Sequence, residues 1–341
     1  MSRLLLHTLR GTGLAALPLL IVAVVADAVA SPADLRVVVN FLIALTLVLA
    51  IQSFSGNSGI VSFGHVGFMG VGAYVAATLT IPPAIKQDLM PSPPSFIGDH
   101  TVGFVPAVLL SALAGAVVAG VLGLALTRMQ EGAMAMATIG VLVIFFVVFD
   151  NWDGVTRGAT GIFGIPQSTH VYSAFAFGVL AIFVCRAFRE SNSGLKLRAS
   201  RTDPLAAEAL GVDIVRLRWV AWTISGALMA MGGALWAQYN IAFGPKQFFF
   251  AQTFNLLAML VVGGLASVSG AVIGVTAVTA AFEILRRVED KVEQPGITQM
   301  AIALLILLVL YRRSDGLMGR SEVDDLLLRR LRRRGSPAPP G

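Results

Sequence analysis

Ten apolar runs, each about as long as a bilayer is thick, follow one another through this sequence with little between them. They cover residues 14–30, 37–53, 65–81, 103–127, 132–149, 171–188, 219–239, 250–265, 270–285 and 297–311. A helix crossing the hydrocarbon core needs about 20 apolar residues, and the shorter runs fit less tilted or partly re-entrant helices. Backbone polar groups find no water in that layer, so only helices or closed barrels cross it. The runs lack the apolar-polar alternation of barrel strands, which leaves helices. Hydrophobic residues make up 56% of the chain and charged residues only 13%, about half the ~25% of a soluble domain. The expected fold class is all-α: a polytopic membrane helical bundle of about ten transmembrane helices with glycine-rich broken segments. Residues 1–320 are expected to form one transmembrane domain, and 321–341 a basic, disordered cytoplasmic tail.

Lys and Arg in short loops favour the cytoplasmic side. With the amino terminus inside, Arg128, the passage 189–218 and the residues from Arg312 onward fall inside. The opposite connections hold Lys86, Asp88 and Asp99, then Asp150, Asp153 and Arg157, then Glu289, Asp290, Lys291 and Glu293, a neutral to acidic set. Both termini are therefore expected in the cytoplasm. Arg36, Arg286 and Arg287 run against the pattern and are read as helix-end side chains snorkelling to the interface. The first run has a rival reading as a cleaved signal peptide, since Arg3 and Arg10 precede it and Ala28, Val29 and Ala30 make a small-residue site. The single cysteine, Cys185, permits no intrachain disulfide and implies no metal site.

One long charged passage, ESNSGLKLRASRTDPLAAEALGVDIVRLR, interrupts the hydrocarbon. Its centre reads as a short capped helix: Asp203 accepts the first free N–H groups, Pro204 suits the first helical position, and Gly211 ends the run. A surface helix this short is marginal alone and needs a docking partner. The chain has no G-x-x-x-x-G-K-[ST] loop, so nucleotide phosphates have no cradle of that kind. Asp27 and Glu283 lie near helix ends, as interfacial anchors or as parts of a proton relay, and Glu131 lies in a loop.

Four ordered blocks carry a family resemblance. GNSGIVSFGHVGFMGVGAYVAATL at 56–79 resembles the glycine-rich segment of branched-chain amino-acid ABC-transporter permeases of the LivH/LivM type. NWDGVTRGATGIFGIP at 151–166 looks like the outside loop of the LivM branch, LRASRTDPLAAEALGV at 197–212 like its cytoplasmic coupling loop, and GGLASVSGAVIG at 263–274 like its late glycine segment. RRSDGLMGR at 312–320 resembles the family's ending, while the amino terminus and the Arg-rich tail depart from it. The resemblance implies an integral subunit of an ATP-driven importer in a bacterial inner membrane. It implies as partners a second permease chain of the LivH type, two cytoplasmic ATPases that use ATP and Mg, and an extracytoplasmic solute-binding protein, with membrane lipid around them. No cofactor held by this chain and no nucleic acid are expected. The implied substrate is leucine, isoleucine, valine or a related hydrophobic amino acid; similar permeases serve urea, short amides and aromatic acids, and the residues do not choose.

Candidate sites follow. The ATPase-coupling element is Asp203, Pro204, Leu205, Ala206, Ala207, Glu208, Ala209, Leu210 and Gly211, with Leu205, Ala206, Ala209 and Leu210 inserting into a groove and Glu208 pairing with a basic residue. A solvated interhelical loop is the other reading of that stretch. The substrate pathway is assigned to Asn57, Ser58, Gly59, Ser62, Gly64 and His65 in an unwound break at 56–64, and to Gly264 and Ser267 in a second break. For the helical half after His65, with Gly70, Ala73 and Ala77 as a small-residue ridge, close helix packing is the favoured alternative. His65 is read as a satisfied helix-start residue. Asn151, Trp152, Asp153 and Arg157 are the candidate platform for the binding protein, or else a turn-rich cap with Trp152 buried against helix ends. The tail, with Arg329, Arg330, Arg332, Arg333 and Arg334, lies on anionic lipid or stays solvated.

Two other classes compete. Gly56, Asn57, Ser58 and Gly59 match the GxSG pattern of intramembrane serine proteases, but no later membrane helix offers a histidine base. A self-sufficient channel or carrier would conduct without ATP or partners.

Overall fold

The structure, a computed structural model, describes residues 2–89, 100–292, 296–313, 315–319 and 322–323. Asp99, Glu293 and the Arg-rich tail after Val323 lie outside the described residues. Every predicted apolar run forms a helix. In chain order these are α1 (Ser2–Val29), α2 (Pro32–Ser58), α3 (His65–Thr80), the short α4 (Pro83–Leu89), α5 (Phe104–Leu126), α6 (Glu131–Asn151), the single turn α7 (Asp153–Thr156) and α8 (Val171–Glu190). The charged passage folds into α9 (Asn192–Ser200) and α10 (Pro204–Ala209), followed by α11 (Ile214–Asn240), α12 (Phe250–Gly263), α13 (Val268–Val292) and α14 (Ile297–Arg312). Among the described residues seven helices are long and apolar enough to cross a membrane, while α3 and α12, of 16 and 14 residues, are shorter. This is a multi-pass, all-α membrane protein.

The bundle is organised around α11, which packs along α2, α3 and α5. Small residues permit the close approach. A Cβ at Gly72 would overlap the Ala230 carbonyl, and one at Gly233 would overlap the Met69 carbonyl, so α3 and α11 touch backbone to backbone. Without a hydrophobic drive between helices in lipid, such dispersion contact is what holds them together. Gly70 instead leaves room for the rings of Phe149 and Phe248. Close packing is therefore what the glycines of α3 do.

Two boundaries moved from their expected places. α2 runs on through Gly56, Asn57 and Ser58, where Asn57 Nδ2 donates to the Ser53 carbonyl (2.8 Å) and Ser58 Oγ to the Phe54 carbonyl (2.9 Å). The helix then stops at Gly59, whose φ of 83° and N–H bond to the Ser55 carbonyl make a left-handed cap. The unwound break is thus 59–64, shorter than expected. α11 begins at Ile214, ahead of its apolar run, where Asp213 accepts the Arg216 N–H (2.9 Å) and Arg218 pairs with Glu131 at the start of α6 (2.6 Å).

Arg286 and Arg287 do not snorkel alone. Both bind Glu283, Arg286 also reaches Asp290, and Arg287 reaches Asp34 of α2 (2.6 Å). Glu283 is therefore the centre of an ion-pair network at one end of α13. Asp27 accepts a hydrogen bond from the Tyr172 hydroxyl (2.7 Å). The packed chain also extends past the expected boundary at 320: Glu322 is buried, because its carboxylate has partners inside the bundle.

Candidate functional site

At the end of the bundle that carries α9 and α10, the local reading of the charged passage holds. Asp203 Oδ1 accepts the Ala206 N–H (3.0 Å), Pro204 occupies the first turn, and Gly211 adopts φ 77° while its N–H bonds the Glu208 carbonyl (2.9 Å). Only Ala207 of this helix turns inward. Leu205 and the C-cap Leu210 are 78% and 84% exposed. Ala206, Glu208 and Ala209 share the open surface.

Two arginines of this segment, and a third at the end of α8, join it to the membrane helices. Arg189, in the last turn of α8, donates to the Ala266 carbonyl in the link between α12 and α13. Arg198 of α9 donates back to the Arg189 carbonyl (3.1 Å), and Arg201 lies over Gly59 and reaches the Gly56 carbonyl (3.5 Å) at the end of α2. A cationic side chain at open carbonyls of a helix C-terminus is favourable, because those groups carry the negative end of the helix dipole. Together with Thr202 they surround a cavity of about 300 Å³.

The two breaks differ in what they present. In 59–64 the chain is non-helical, with Ile60, Ser62 and Gly64 buried and Val61 and Phe63 half-buried. Ser62 Oγ lies 2.7 Å from His65 Nδ1, and the His65 ring sits among Phe54, Phe68 and Trp222. Asn57 and Ser58 are buried and bonded to their own helix, and Ser58 Oγ accepts the Ile60 N–H (3.2 Å). Gly64 presses on the Thr138 carbonyl of α6. In the second break, Gly264 (φ 118°) lies backbone to backbone against the turn Asp315 to Gly319. That turn is fixed by N–H bonds from Leu317 to the Val262 carbonyl (2.9 Å) and from Met318 to the Gly263 carbonyl (3.1 Å). Ser267 is buried there and its Oγ meets the Gly319 carbonyl (3.3 Å).

Two neighbouring cavities, of about 340 and 1050 Å³, lie between α2, α11, α12, α13 and α14. They share Trp236, Gln252, Asn255, Phe282 and Ile302 on their walls. Val61 and Phe63 of the first break face the larger one, and Asn40, Glu283 and Arg286 close the smaller. The side chains of Asn40 and Asn255 are exposed in otherwise apolar helices. Polar groups at membrane depth are expensive unless they face protein or a water-filled space. A groove of this size, mostly apolar with a few amides and one charged end, has the make-up of a small-molecule site.

At the opposite end, 150–170 is an ordered connection between α6 and α8. Thr156 Oγ1 bonds the Phe149 carbonyl (2.7 Å), and Ile162 pairs with Phe243 as an antiparallel bridge. Arg157 takes φ 58°, its guanidinium 5.0 Å from the centre of the Phe163 ring. Asn151 and Asp153 are exposed, and Trp152 is 55% exposed and not buried against helix ends.

The family model for the permease component of branched-chain amino acid transport systems matches residues 34–310. The chain belongs to that permease family. The permease protein LivM of the high-affinity branched-chain amino acid transport systems of Salmonella typhimurium and of Escherichia coli is 24% identical in each case, over 88% of this chain and 73% of the relative. The probable branched-chain amino acid permease LivH of Methanocaldococcus jannaschii is 28% identical over 69% of this chain and 74% of its own. No solved structure matches.

Sequence reasoning did not single out the amides Asn40, Gln252 and Asn255 that line these cavities. Their signal was present: three amides within apolar runs, with no hydrophobic reason to be there. The arginine ties were not readable, because a basic residue near a helix end reads equally as a lipid anchor.

Proposed function

We propose that this permease is one of the two membrane-spanning chains of an ATP-driven importer, carrying branched-chain or related hydrophobic amino acids across a bacterial inner membrane. The observation that carries this reading is the exposed, capped α10, whose flanking Arg201 reaches the end of α2 and whose neighbour α9 is joined through Arg198 and Arg189 of α8 to the link between α12 and α13. Two separate ATPases, using ATP and Mg, dock on Leu205 and Leu210 from the cytoplasm. Their closure pulls on the coupling segment and so on the helices around the groove. A second permease chain of the LivH type covers the groove. A solute-binding protein delivers substrate to the platform at Asn151, Trp152, Asp153 and Arg157, on the extracytoplasmic side, with both termini of this chain in the cytoplasm.

The groove suits such a substrate. Trp236, Val278 and Phe282 offer apolar surface to an aliphatic side chain, while the amides Asn40, Gln252 and Asn255 offer hydrogen bonds to the substrate's polar groups. None of these contacts demands one side chain, which fits a passage that leaves selection to the binding protein. The protease reading gains nothing from the geometry: Ser58 Oγ bonds the Phe54 carbonyl, and His65 Nδ1 is paired with Ser62.

Reconstitution in liposomes tests the proposal. With the second permease chain, ATPases and binding protein present, labelled leucine enters only when ATP is supplied on the ATPase side. Uptake by this chain alone would replace the importer reading with a self-sufficient carrier, and uptake of urea or benzoate in place of leucine would replace the substrate.

A further inference from the structure

The carboxylate of Glu322 is buried where α13 begins, and four groups hold it. It accepts the Val268 N–H (2.8 Å), the Ser269 N–H (3.0 Å) and the Ser269 hydroxyl (2.6 Å), and it pairs with Arg189 Nε (2.9 Å). The Val323 N–H returns to Ser269 Oγ (3.2 Å). Three residues earlier the turn Asp315 to Gly319 is bonded to the end of α12. The chain after α14 therefore crosses the link between α12 and α13 and is bonded on both sides of it.

Arg189 makes this strap more than a terminal anchor. Its guanidinium holds the Ala266 carbonyl and the Glu322 carboxylate together, and its own backbone carbonyl is held by Arg198 of α9. A buried carboxylate with a guanidinium and three further donors is stiff, since moving any one partner leaves a charge unpaired away from water. α12 and α13 supply Gln252, Asn255, Val278 and Phe282 to the groove. The connection runs from the coupling segment, through one ion pair, to the ends of two helices that line the passage.

We propose that residues 315–319 and 322–323 hold the link between α12 and α13, and that the Glu322–Arg189 pair transmits movement of the coupling segment to these two helices, making both residues positioning residues for transport. The inference rests on the reading that ATPases dock on α10. Breaking the pair should leave the ATPases bound and hydrolysing but poorly connected to the passage.

The test uses the full assembly in liposomes, with tritiated leucine and phosphate release measured in parallel. Variants are Glu322→Gln, Arg189→Lys, which keeps a charge but not the planar two-sided hold, and Ser269→Ala, which removes the hydroxyl's bonds to Glu322 and Val323 but leaves the Glu322–Arg189 pair in place. ATP hydrolysed per leucine imported is expected to rise about fivefold or more in the first two, the lower end of the range for coupling between sites, and less in Ser269→Ala. Comparison is made per assembled complex, so a loss of folded protein does not move the ratio. If wild-type chain captures no ATPase, the docking reading and the strap fall together. If it captures ATPase and imports leucine, yet Glu322→Gln keeps the wild-type ratio, the strap alone is overturned. A Ser269→Ala ratio that rises while Glu322→Gln does not would equally overturn it.

Discussion

Replacing Leu205 and Leu210 together by serine should detach the ATPases from an intact permease. Both side chains are almost fully in water in the permease alone, 78% and 84% exposed, so their removal creates no cavity. Surface substitutions of this kind change folding by only about 0.5 kcal/mol. Docking should bury them. A fully buried leucine contributes about 1.5–3 kcal/mol, and scaling by exposures of 78% and 84% gives about 2.4–4.9 kcal/mol for the pair. Serine keeps the first side-chain carbon, which trims the loss to roughly 2–4 kcal/mol. At about 1.4 kcal/mol per decade, the Kd for the ATPase should rise roughly 30-fold to 700-fold. The assay is binding of purified ATPase to the permease pair in nanodiscs, with the thermal midpoint of the variant measured beside it. A shift in Kd below about threefold, with the midpoint unchanged, would refute the assignment of α10 as the docking helix.

Other perturbations reach other parts of the same architecture. Asp203→Ala removes the acceptor for the Ala206 N–H and should cost α10 about 1 kcal/mol, read as faster amide exchange across 203–211 with no change in the spanning helices. Gly72→Val drives a side chain into the Ala230 carbonyl, and should cost about 1–3 kcal/mol, seen as a lowered thermal midpoint in detergent. Asn255→Leu removes a groove amide without touching α10, and should raise the KM for leucine roughly threefold to tenfold, the value of one hydrogen bond, while ATPase binding is unchanged. An unaltered KM would move the passage elsewhere.

The helical skeleton was legible because its causes are local. Bilayer thickness selects the length of an apolar run, and the run announces itself in one dimension. The capped turn at Asp203, Pro204 and Gly211 was equally plain, since each residue acts on backbone groups within four positions of itself. The glycine segments were harder. Gly72 packs and Gly59 caps, and nothing adjacent to either residue separates the two roles. The break at 59–64 carries conspicuous polar residues, yet Val61 and Phe63 face the groove while Ser62 turns inward to His65.

From the sequence alone came the membrane class, the places of the helices, the family and the short helix held out from the bundle. Tertiary structure decided which polar groups meet: Arg189 with Ala266 and Glu322, Arg201 with Gly56, Arg287 with Asp34, and the amides around one groove. Helix formation depends on neighbours a turn away, and partition into lipid depends on composition, so both are written along the chain. A charge pair between residues more than a hundred positions apart exists only when the glycine seams bring those helices to one distance and one rotation, which no single segment specifies.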